Sequence, residues 1–473
     1  MAKIHNHFIL YTYFCSNKIL ILQLKLVTKN KEKMKKILLP YLLCLLCIAF
    51  ISGCKSDDNA KVVSETVKFM VISDIHYFDP SLFTLPANAN FQLYLAADRK
   101  LIIESSAILK NVLATVMTEK PDFLLVTGDL TKDGEKIDHQ AVAALFKTLS
   151  DNGIKVLVIP GNHDVNNPAA VSYTGTSATP IANVSASEFA SIYGSCGYGN
   201  AIERDPNSLS YVSEPVNGVW VLGIDACHYA PSETAGSISA TTLTWVKSII
   251  TKSKAQNKIL LSMMHHGMVE HFVGQSTMFS EYLIADWKNA SKTLADSGMN
   301  VIFTGHFHAQ DIAKGSGTKG FIFDVETGST VTAPCPYRTI TLNTVNKTLK
   351  ITSGKIDGVT YSTIPSGTSF QTYAKNYLTS GMKVISYYML SGAPYNVPST
   401  AINAYKLDSI FANAFVAHYA GDETPAASDN ANIQTVNAVS VMLGSAIQSV
   451  WTDPAPKDNN ITIDLKTGIA TNN

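Results

Sequence analysis

Five short apolar runs in the chain each end in a polar turn. The runs cover residues 69–73, 123–127, 156–159, 259–264 and 301–304 and are rich in the aliphatic side chains of buried strands. Each run leads into residues that a buried strand does not need, namely Asp74 and His76, Asp129, Asn162 with His163 and Asp164, His265, and His306 with His308. Strand ends expose side chains on a rigid support in α/β proteins, so these turns are candidate functional positions.

Segments with a helical period separate the runs. Residues 95–119, 137–151 and 243–254 repeat apolar side chains at the spacing of an amphipathic helix. Strands that alternate with helices predict an α/β layered fold with right-handed crossovers. The composition of residues 165–209 predicts an irregular insertion. Residues 339–351 alternate between apolar and polar side chains, which is typical of antiparallel strands.

The composition changes near Lys355. Beyond it, residues 366–391, 400–420 and 432–450 have the pattern of helices. We therefore predict two parts, a domain over residues 66–350 and a smaller, mainly helical C-terminal unit over residues 351–473. The helical unit contains no motif of known chemistry, so a packing or capping role is expected.

The N-terminal residues differ from the rest in charge. The chain of 473 residues is formally neutral, but eight lysines fall within residues 1–36. From Cys54 onward 29 basic and 36 acidic residues give a balance of −7. A mildly acidic body argues against nucleic acid as the main partner, because binding to a phosphate backbone depends on clustered Lys and Arg.

The segment before Cys54 has the layout of a signal peptide. Met34-Lys35-Lys36 is followed by an uncharged apolar run over residues 37–51 and then by Ser52-Gly53-Cys54. This resembles the signal and lipobox of bacterial lipoproteins. An uncleaved membrane anchor is the alternative, although the run is shorter than the roughly 20 residues of a spanning helix.

The lipoprotein resemblance implies a division of the N-terminal residues. We expect residues 1–33 to lie outside the mature protein, residues 34–53 to form the signal peptide, and Cys54 to carry the lipid. Residues 54–65 are polar and are expected to form a tether. The implied location is the bacterial cell envelope, with the protein lipid-anchored to a membrane and either periplasmic or surface-exposed.

Three cysteines follow Cys54, namely Cys196, Cys227 and Cys335. They form no Cys-x-x-Cys pair, which argues against zinc-finger and thioredoxin-like sites. An odd number permits one disulfide and one free thiol, and the spacing does not choose between the possible pairs.

The polar side chains of the turns are suitable metal ligands. Carboxylates, an amide and imidazoles without thiolate suit Mn, Fe or Zn. Seven donors exceed what one catalytic ion takes from a protein, because such an ion keeps a position open for water. Two divalent ions that share a carboxylate are therefore expected.

In this order the motifs resemble those of the calcineurin-like metallophosphoesterases, over roughly residues 66–345. The resemblance implies a four-layer sandwich of two mixed β-sheets flanked by helices. It also implies a ligand set: Asp74, His76 and His308 for the first ion, Asp129 as the bridge, and Asn162, His265 and His306 for the second ion.

The resemblance further implies a catalytic role for His163. Held by Asp164, it would donate a proton to the leaving oxygen or stabilise the phosphoryl charge, while a metal-bound hydroxide attacks. The expected reaction is hydrolysis of a phosphate mono- or diester on a small phosphorylated substrate. The alternative is a phospho-ligand-binding or scaffold protein on the same fold without turnover.

The sequence leaves the roles of several residues open. His266 is the alternative to His265 as a ligand, and Asp225 either supports the site or caps a strand. Lys132 occupies the position at which purple acid phosphatases carry a tyrosine, so a purple iron centre is not expected. Possible substrate contacts are His266, Tyr77, Asp79 and His271, whereas His228 and His418 are expected to be ordinary loop residues.

Overall fold

Strands and α-helices alternate along residues 64–473, the part of the chain that the computed structural model describes. The strands are β1 (Thr66–Ile72), β2 (Phe123–Val126), β3 (Lys155–Val158), β4 (Val171–Ser172), β5 (Thr179–Pro180), β6 (Glu203–Arg204), β7 (Tyr211–Val216), β8 (Val219–Ile224), β9 (Cys227–Tyr229), β10 (Ser232–Gly236), β11 (Ile259–Met264), β12 (Val301–Thr304), β13 (Asp311–Ser316), β14 (Phe321–Glu326), β15 (Pro336–Asn343), β16 (Thr348–Lys355), β17 (Asn460–Asp464) and β18 (Ile469–Asn472).

The α-helices fall into two groups, one between the strands and one after β16. They are α1 (Ala89–Ala96), α2 (Ser105–Glu119), α3 (Lys136–Asp151), α4 (Ala186–Ile192), α5 (Ala240–Ala255), α6 (Gln275–Met278), α7 (Trp287–Ser297), α8 (Phe370–Ser391), α9 (Ser399–Tyr405), α10 (Leu407–His418), α11 (Ala427–Val439) and α12 (Val441–Val450). Short 3₁₀ or π turns occur at Pro80–Leu82, Gly194–Tyr198 and Ser280–Tyr282.

Two seven-stranded mixed sheets form the centre of the fold. The first has the order β18-β17-β16-β15-β1-β2-β3, with β1, β2 and β3 parallel and the others antiparallel. The second has the order β13-β14-β12-β11-β8-β7-β6, with β14, β12, β11 and β8 parallel. The predicted fold class, two mixed sheets with flanking helices and a helical C-terminal region, is confirmed.

Aromatic side chains join the two sheets. The ring of Phe69 on β1 stacks on Phe123 of β2 with 4.7 Å between centroids, and it meets Phe303 of β12 edge-on at 5.5 Å. All three rings are fully buried. Since β12 belongs to the second sheet, the contact shows that the sheets pack face to face around one apolar core.

One predicted helix starts later than its apolar pattern indicates. Residues 95–119 were expected to be one helix, but α2 begins at Ser105 and the separate helix α1 precedes it. Between them the carboxylate of Asp98 accepts hydrogen bonds from the backbone N–H groups of Arg99 and Lys100, at 2.6 and 3.0 Å. Such local bonds compete with helical backbone bonds, so the chain turns here.

The C-terminal residues contribute strands as well as helices. Thr348 of β16 pairs with Asp464 of β17, and β18 follows at the sheet edge. The predicted domain boundary at residue 350 therefore falls inside β16, and residues 64–473 belong to one compact unit. The predicted helices correspond to α8, to α9 with α10, and to α11 with α12.

Two further features concern the predicted anchor and the cysteines. No helix within residues 64–473 is long and apolar enough to cross a membrane, and the predicted signal peptide, Cys54 and most of the tether lie outside the described residues. Cys196, Cys227 and Cys335 are free thiols, so the disulfide that their number permits is not formed among them.

Candidate metal centre

The seven predicted ligands meet where five parallel strands end. Asp74 and His76 follow β1, Asp129 follows β2, and Asn162 follows β3. His265 follows β11, whereas His306 and His308 follow β12, so both sheets contribute. All seven side chains belong to buried residues. We call these seven residues the Asp129 site.

The backbone of the Asp129 site is strained. Five of its residues have a positive φ, which is uncommon for residues other than glycine: Asp74 (49°), His76 (39°), Asp129 (47°), His306 (75°) and His308 (71°). Hydrogen bonds hold this conformation, for example from the Asp74 N–H to the Gly128 carbonyl oxygen at 3.1 Å. Residues in such conformations cluster at functional sites, where the surrounding structure imposes them.

The first group of ligands comprises Asp74, His76 and His308. Nε2 of His308 lies 3.4 Å from Oδ1 of Asp74 and 3.2 Å from Nε2 of His76. One ligand atom from each residue lies within 4.8 Å of the others, close enough to bind one metal ion.

The second group comprises Asp129, His265 and His306, with Asn162 beside them. The ligand atoms of the first three lie within 4.8 Å of one another, and Nε2 of His265 is 3.1 Å from Oδ1 of Asn162. His265 is therefore the histidine that faces the ligand group. Its neighbour His266 directs Nε2 away, to the Thr234 carbonyl oxygen at 2.9 Å.

Asp129 stands between the two groups. Its Oδ2 atom is 3.5 Å from Nε2 of His76 and 3.4 Å from Nε2 of His265. Burial works to raise the pKa of Asp129, but the charges of His265 and His163 outweigh burial and hold it well below its usual range. The carboxylate therefore stays ionised and faces both groups with one oxygen atom.

Three of the imidazole rings are oriented by a contact between one ring nitrogen and a residue outside the site. Nδ1 of His265 lies 2.8 Å from the Thr127 carbonyl oxygen, and Nδ1 of His308 lies 3.0 Å from Oγ1 of Thr332. His306 is held through Nε2, at 3.2 Å from the Glu281 carbonyl oxygen. An outer partner of this kind fixes the ring and leaves its other nitrogen available to a metal ion.

The electrostatics of the rings also suit metal ions. Burial, followed by the charge of Arg99, lowers the pKa of His308 to about 4. Burial, followed by the charge of Lys100, lowers the pKa of His76 well below its usual value. The neutral imidazoles of His76 and His308 thus converge with an ionised carboxylate, and no thiolate takes part. At His265 burial works to lower the pKa, but the charge of Asp129 raises it to about 9. This donor set fits Mn, Fe or Zn.

His163 lies at the same edge but is partly exposed, with 28% of its side chain accessible. Its Nδ1 atom is 2.9 Å from Oδ1 of Asp133, while Nε2 is 4.0 Å from Oδ2 of Asp129. The backbone N–H of His163 donates to Oδ1 of Asp129 at 2.9 Å. The ring therefore presents Nε2 towards the Asp129 site and is held from behind by Asp133.

The carboxylate of Asp164 has different partners from the predicted one, His163. Its carboxylate is fully buried and accepts hydrogen bonds from the backbone N–H groups of Gly161, Leu130 and Thr131, at 2.8, 3.1 and 3.0 Å. The prediction that Asp164 holds His163 is wrong, because its carboxylate joins the two turns after β2 and β3. Burial, followed by the charge of Asp129, raises the pKa of Asp164 to about 7.

Lys132 fixes the carboxylate of Asp133. Its Nζ atom contacts Oδ2 of Asp133 and lies 3.3 Å from Oε1 of Glu135. The ammonium also lies over three aromatic rings, 5.2 Å from the centroid of Phe78, 4.8 Å from that of Tyr94 and 5.6 Å from that of Tyr173. The signal for Asp133 in the sequence was its place in the turn of Asp129.

Two basic residues near the Asp129 site were not predicted. Arg99 and Lys100 lie in the turn after α1, and their charges act on the candidate ligands and on His163. Burial works against the charged form of Arg99, but the electrostatic influence of Tyr419 and Tyr282 raises its pKa. An adjacent Arg-Lys pair in a loop was the available signal in the sequence.

The remaining candidates make structural contacts. The Tyr77 hydroxyl donates to Asp79 at 3.1 Å, and Asp225 accepts from the N–H groups of Leu209 and Cys227. His228 contacts Glu233 at 3.0 Å. His271 was considered a possible substrate contact, and His418 was expected to be an ordinary loop residue. Both are instead buried in a separate cluster of acidic side chains.

The chain is similar to a known protein family and to individual known proteins. Residues 67–310 match the calcineurin-like phosphoesterase family. The chain is 33% identical over 66 residues to a probable cyclic nucleotide phosphodiesterase of Vesicomyosocius okutanii subsp. Calyptogena okutanii. That match covers 14% of this chain and 27% of the relative, so the chain spans about a quarter of the relative's length.

Similar solved structures include two enzymes. A dimetal phosphatase from Danio rerio is 14% identical, with a TM-score of 0.42, over 63% of this chain and 99% of that chain. The sulfate thiohydrolase SoxB of Thermus thermophilus, solved with glycerol, is 10% identical, with a TM-score of 0.31, over 67% of this chain and 60% of that chain. The family match covers half of the chain, and the chain belongs to the calcineurin-like phosphoesterase family.

Proposed function

We propose that this protein hydrolyses a phosphate mono- or diester at the Asp129 site. The observation that carries the proposal is the position of Asp129, whose Oδ2 atom faces His76 at 3.5 Å and His265 at 3.4 Å. A carboxylate oxygen shared by two groups of ligands supports a pair of divalent ions.

The residues divide between the two ions according to their grouping. Asp74, His76 and His308 would hold one ion, and Asn162, His265 and His306 the other, with Asp129 shared. When bound, such ions supply Lewis acidity, which lowers the pKa of water and neutralises charge on a phosphoryl group.

His163 acts on the substrate from outside the ligand set. Because Asp133 holds Nδ1 at 2.9 Å, Nε2 is free to donate a proton to the leaving oxygen or to stabilise the phosphoryl charge. Asp133 thus takes the orienting role that the family resemblance gave to Asp164. Arg99 and Lys100 add positive charge beside the site, which attracts a phosphate anion.

The substrate is a small phosphorylated molecule rather than a nucleic acid, an assignment that rests on the acidic balance of the chain after Cys54. The short similarity to a probable cyclic nucleotide phosphodiesterase makes a diester the first substrate class to test. Binding of a phosphorylated ligand without turnover is the competing function. The presence of all seven candidate ligands together with His163 favours hydrolysis.

We also propose that the protein is a lipid-anchored protein of the bacterial cell envelope. The proposal rests on Ser52-Gly53-Cys54 after the apolar run over residues 37–51. Cys54 would carry the lipid and tie the catalytic domain to a membrane surface.

The experiment compares wild type with Asp129→Asn after loading with Mn, Fe or Zn. Nitrophenyl phosphate and bis-nitrophenyl phosphate report mono- and diesterase activity, and elemental analysis reports the bound ions. We expect metal-dependent hydrolysis by wild type, and both fewer bound ions than wild type and a collapse of turnover in Asp129→Asn. Phosphate binding without hydrolysis of either ester would favour the competing function, and a wild-type number of ions with normal turnover in the variant would exclude Asp129 as the bridge.

A further inference from the structure

A second group of metal-ligating side chains lies outside the Asp129 site. It joins β13 and β14 to the C-terminal helical segment, and every member is buried. We call this group the His418 cluster; its members are His271, Asp311, Asp324, Glu326, His418 and Glu423.

Three members of the His418 cluster have the geometry of a metal site. Nδ1 of His418, at the end of α10, contacts Oε1 of Glu423 and lies 3.8 Å from Oδ2 of Asp311. One ligand atom from each of the three lies within 4.8 Å of the others. The side chains of all three are at most 4% exposed, so water does not stabilise their charges.

Buried carboxyl groups are concentrated in and beside the cluster, namely Asp311, Asp324, Glu326, Glu423 and the neighbouring Asp458. His271 lies against three of them, 2.6 Å from Asp311 and 3.4 Å from both Asp324 and Glu326. Buried carboxylates need a charged partner or a metal ion.

Arg338 is directed mainly at backbone carbonyl oxygens. Its guanidinium donates to the carbonyl oxygens of Asp458 at 2.6 Å, Glu326 at 2.6 Å and Asp311 at 3.2 Å, and to Oγ of Ser353 at 3.2 Å. The carboxylates of Asp311 and Glu423 thus depend on the histidines or on a bound cation.

An unpartnered oxygen points to a missing ligand. Oε2 of Glu423 has no hydrogen-bond partner among residues 64–473, although the side chain is 1% exposed. It belongs to the carboxylate whose other oxygen contacts Nδ1 of His418, so it lies within the cluster. Buried polar atoms are normally satisfied, and a metal ion would satisfy this one.

We propose that Asp311, His418 and Glu423 bind a divalent transition-metal ion, separate from the ions of the Asp129 site. Two carboxylates and an imidazole without thiolate suit Zn or Mn. The ion fastens the end of α10 and the following turn to β13, and its role is structural because the site is closed to substrate.

The position of the His418 cluster links it to the catalytic turn. The ring of His418 lies 5.7 Å from that of Phe307, which stands between His306 and His308. Glu326 accepts a hydrogen bond from the Ala309 N–H at 3.2 Å. Loss of the ion would therefore loosen the turn that carries two candidate ligands of the Asp129 site.

The test uses the full chain and removes one site at a time. Bound Zn and Mn are counted by equilibrium dialysis and elemental analysis in wild type, in Glu423→Gln, and in His265→Ala/His308→Ala, which disables the Asp129 site. We expect Glu423→Gln to bind one ion fewer than wild type, and the double variant to retain one ion. Adding Glu423→Gln to the double variant should remove that ion. Asp408→Asn, on the same helix but outside the cluster, should bind as many ions as wild type.

Thermal unfolding of the double variant gives a readout that does not depend on the folding of Glu423→Gln. A chelator should lower its Tm, and added Zn or Mn should restore it, because an ion bound only to the folded state stabilises it. A Tm that chelator and metal leave unchanged would overturn the proposal, as would a double variant without a bound ion. In that case His418 and Glu423 form an ordinary ion pair, whatever the outcome at the Asp129 site.

Discussion

The Nδ1 atom of His163 lies 2.9 Å from Oδ1 of Asp133, and the other oxygen of that carboxylate contacts Lys132. Burial works to raise the pKa of Asp133, but the hydrogen bond from His163 and the charge of Lys132 lower it to about 2. A fixed, ionised carboxylate thus orients the ring whose Nε2 atom faces the Asp129 site.

Replacing Asp133 should slow turnover without releasing metal. In Asp133→Asn the ring loses its charged partner, and we expect kcat to fall by roughly 10- to 100-fold, a part of the roughly 10²–10⁴-fold contribution of a positioned acid. Elemental analysis should find the wild-type number of ions. Asp151→Asn, which breaks only an exposed ion pair with Lys147, is the matched control and should keep wild-type kcat. Unaltered turnover in Asp133→Asn would rule out the orienting role.

Replacing His163 should have a larger effect that depends on the leaving group. His163→Ala should keep its ions and lose about 10²–10⁴-fold in rate, which is the usual contribution of a positioned acid. The loss should be smaller for nitrophenyl esters, because these leaving groups need little protonation. Kinetics with a nitrophenyl and an alkyl ester on one preparation measure the difference. An equal loss on both esters, or a lost ion, would contradict proton donation.

Replacing Asp164, the residue after His163, should lower the stability of the fold more than the rate of catalysis. Asp164→Ala leaves three buried backbone N–H groups without their acceptor. Each unsatisfied buried group costs about 1–3 kcal/mol, so the free energy of unfolding should fall by at least about 3 kcal/mol. Denaturant titration measures the loss. A variant with wild-type stability would show that the carboxylate does not hold the two turns together.

Acid should destabilise the fold through His139. Burial lowers the pKa of His139 from 6.5 to about 4. Its ring lies 2.9 Å from the Asp164 carbonyl oxygen and 3.0 Å from the Tyr193 hydroxyl. Because the unfolded chain takes up the proton first, this stability is fully present above pH 6.5 and is lost as the pH falls towards 4.

The predicted slope for His139 is up to about 1.4 kcal/mol per pH unit. Denaturant unfolding of wild type and His139→Gln between pH 7 and pH 4.5 isolates this contribution, since other acid-sensitive groups are common to both proteins. The variant should show the shallower pH dependence. Equal slopes would mean that His139 is not held neutral by the fold.

Replacing Cys54 tests the proposed anchor. In the bacterial host, Cys54→Ala should abolish labelling by a radioactive or clickable fatty acid and release the protein from the membrane fraction. Cys227→Ala, which removes a thiol far along the chain, should still be labelled. Labelling that persists in Cys54→Ala would exclude the lipoprotein assignment.

The sequence located the candidate ligands of the Asp129 site because each follows a strand whose apolar pattern is unambiguous. Asp74, Asp129 and His265 are positions of this kind. Asp133 was missed because its partnership with His163 depends on how two turns cross, which no local pattern encodes. The same reason explains the wrong role given to Asp164.

For the fold, too, elements with a clear local pattern were predicted, whereas elements that depend on contacts with distant residues were not. The helix α8 was predicted within a few residues because its pattern is long and local. The strands β17 and β18 were not predicted, because four or five residues carry little periodicity and gain their structure from pairing with β16. The break before α2 depends on side-chain bonds of Asp98 that outweigh the apolar pattern.

The pairing of β16 with β17 also constrains how the chain is made. Thr352 pairs with Asn460, so two neighbouring strands of one sheet are separated by the whole helical segment. During synthesis β16 stays an open edge until β17 has emerged, and open edges attract other strands. The nascent chain must keep this edge from pairing wrongly until then. The strand β17 therefore controls both the extension of the sheet beyond β16 and the risk of aggregation during synthesis.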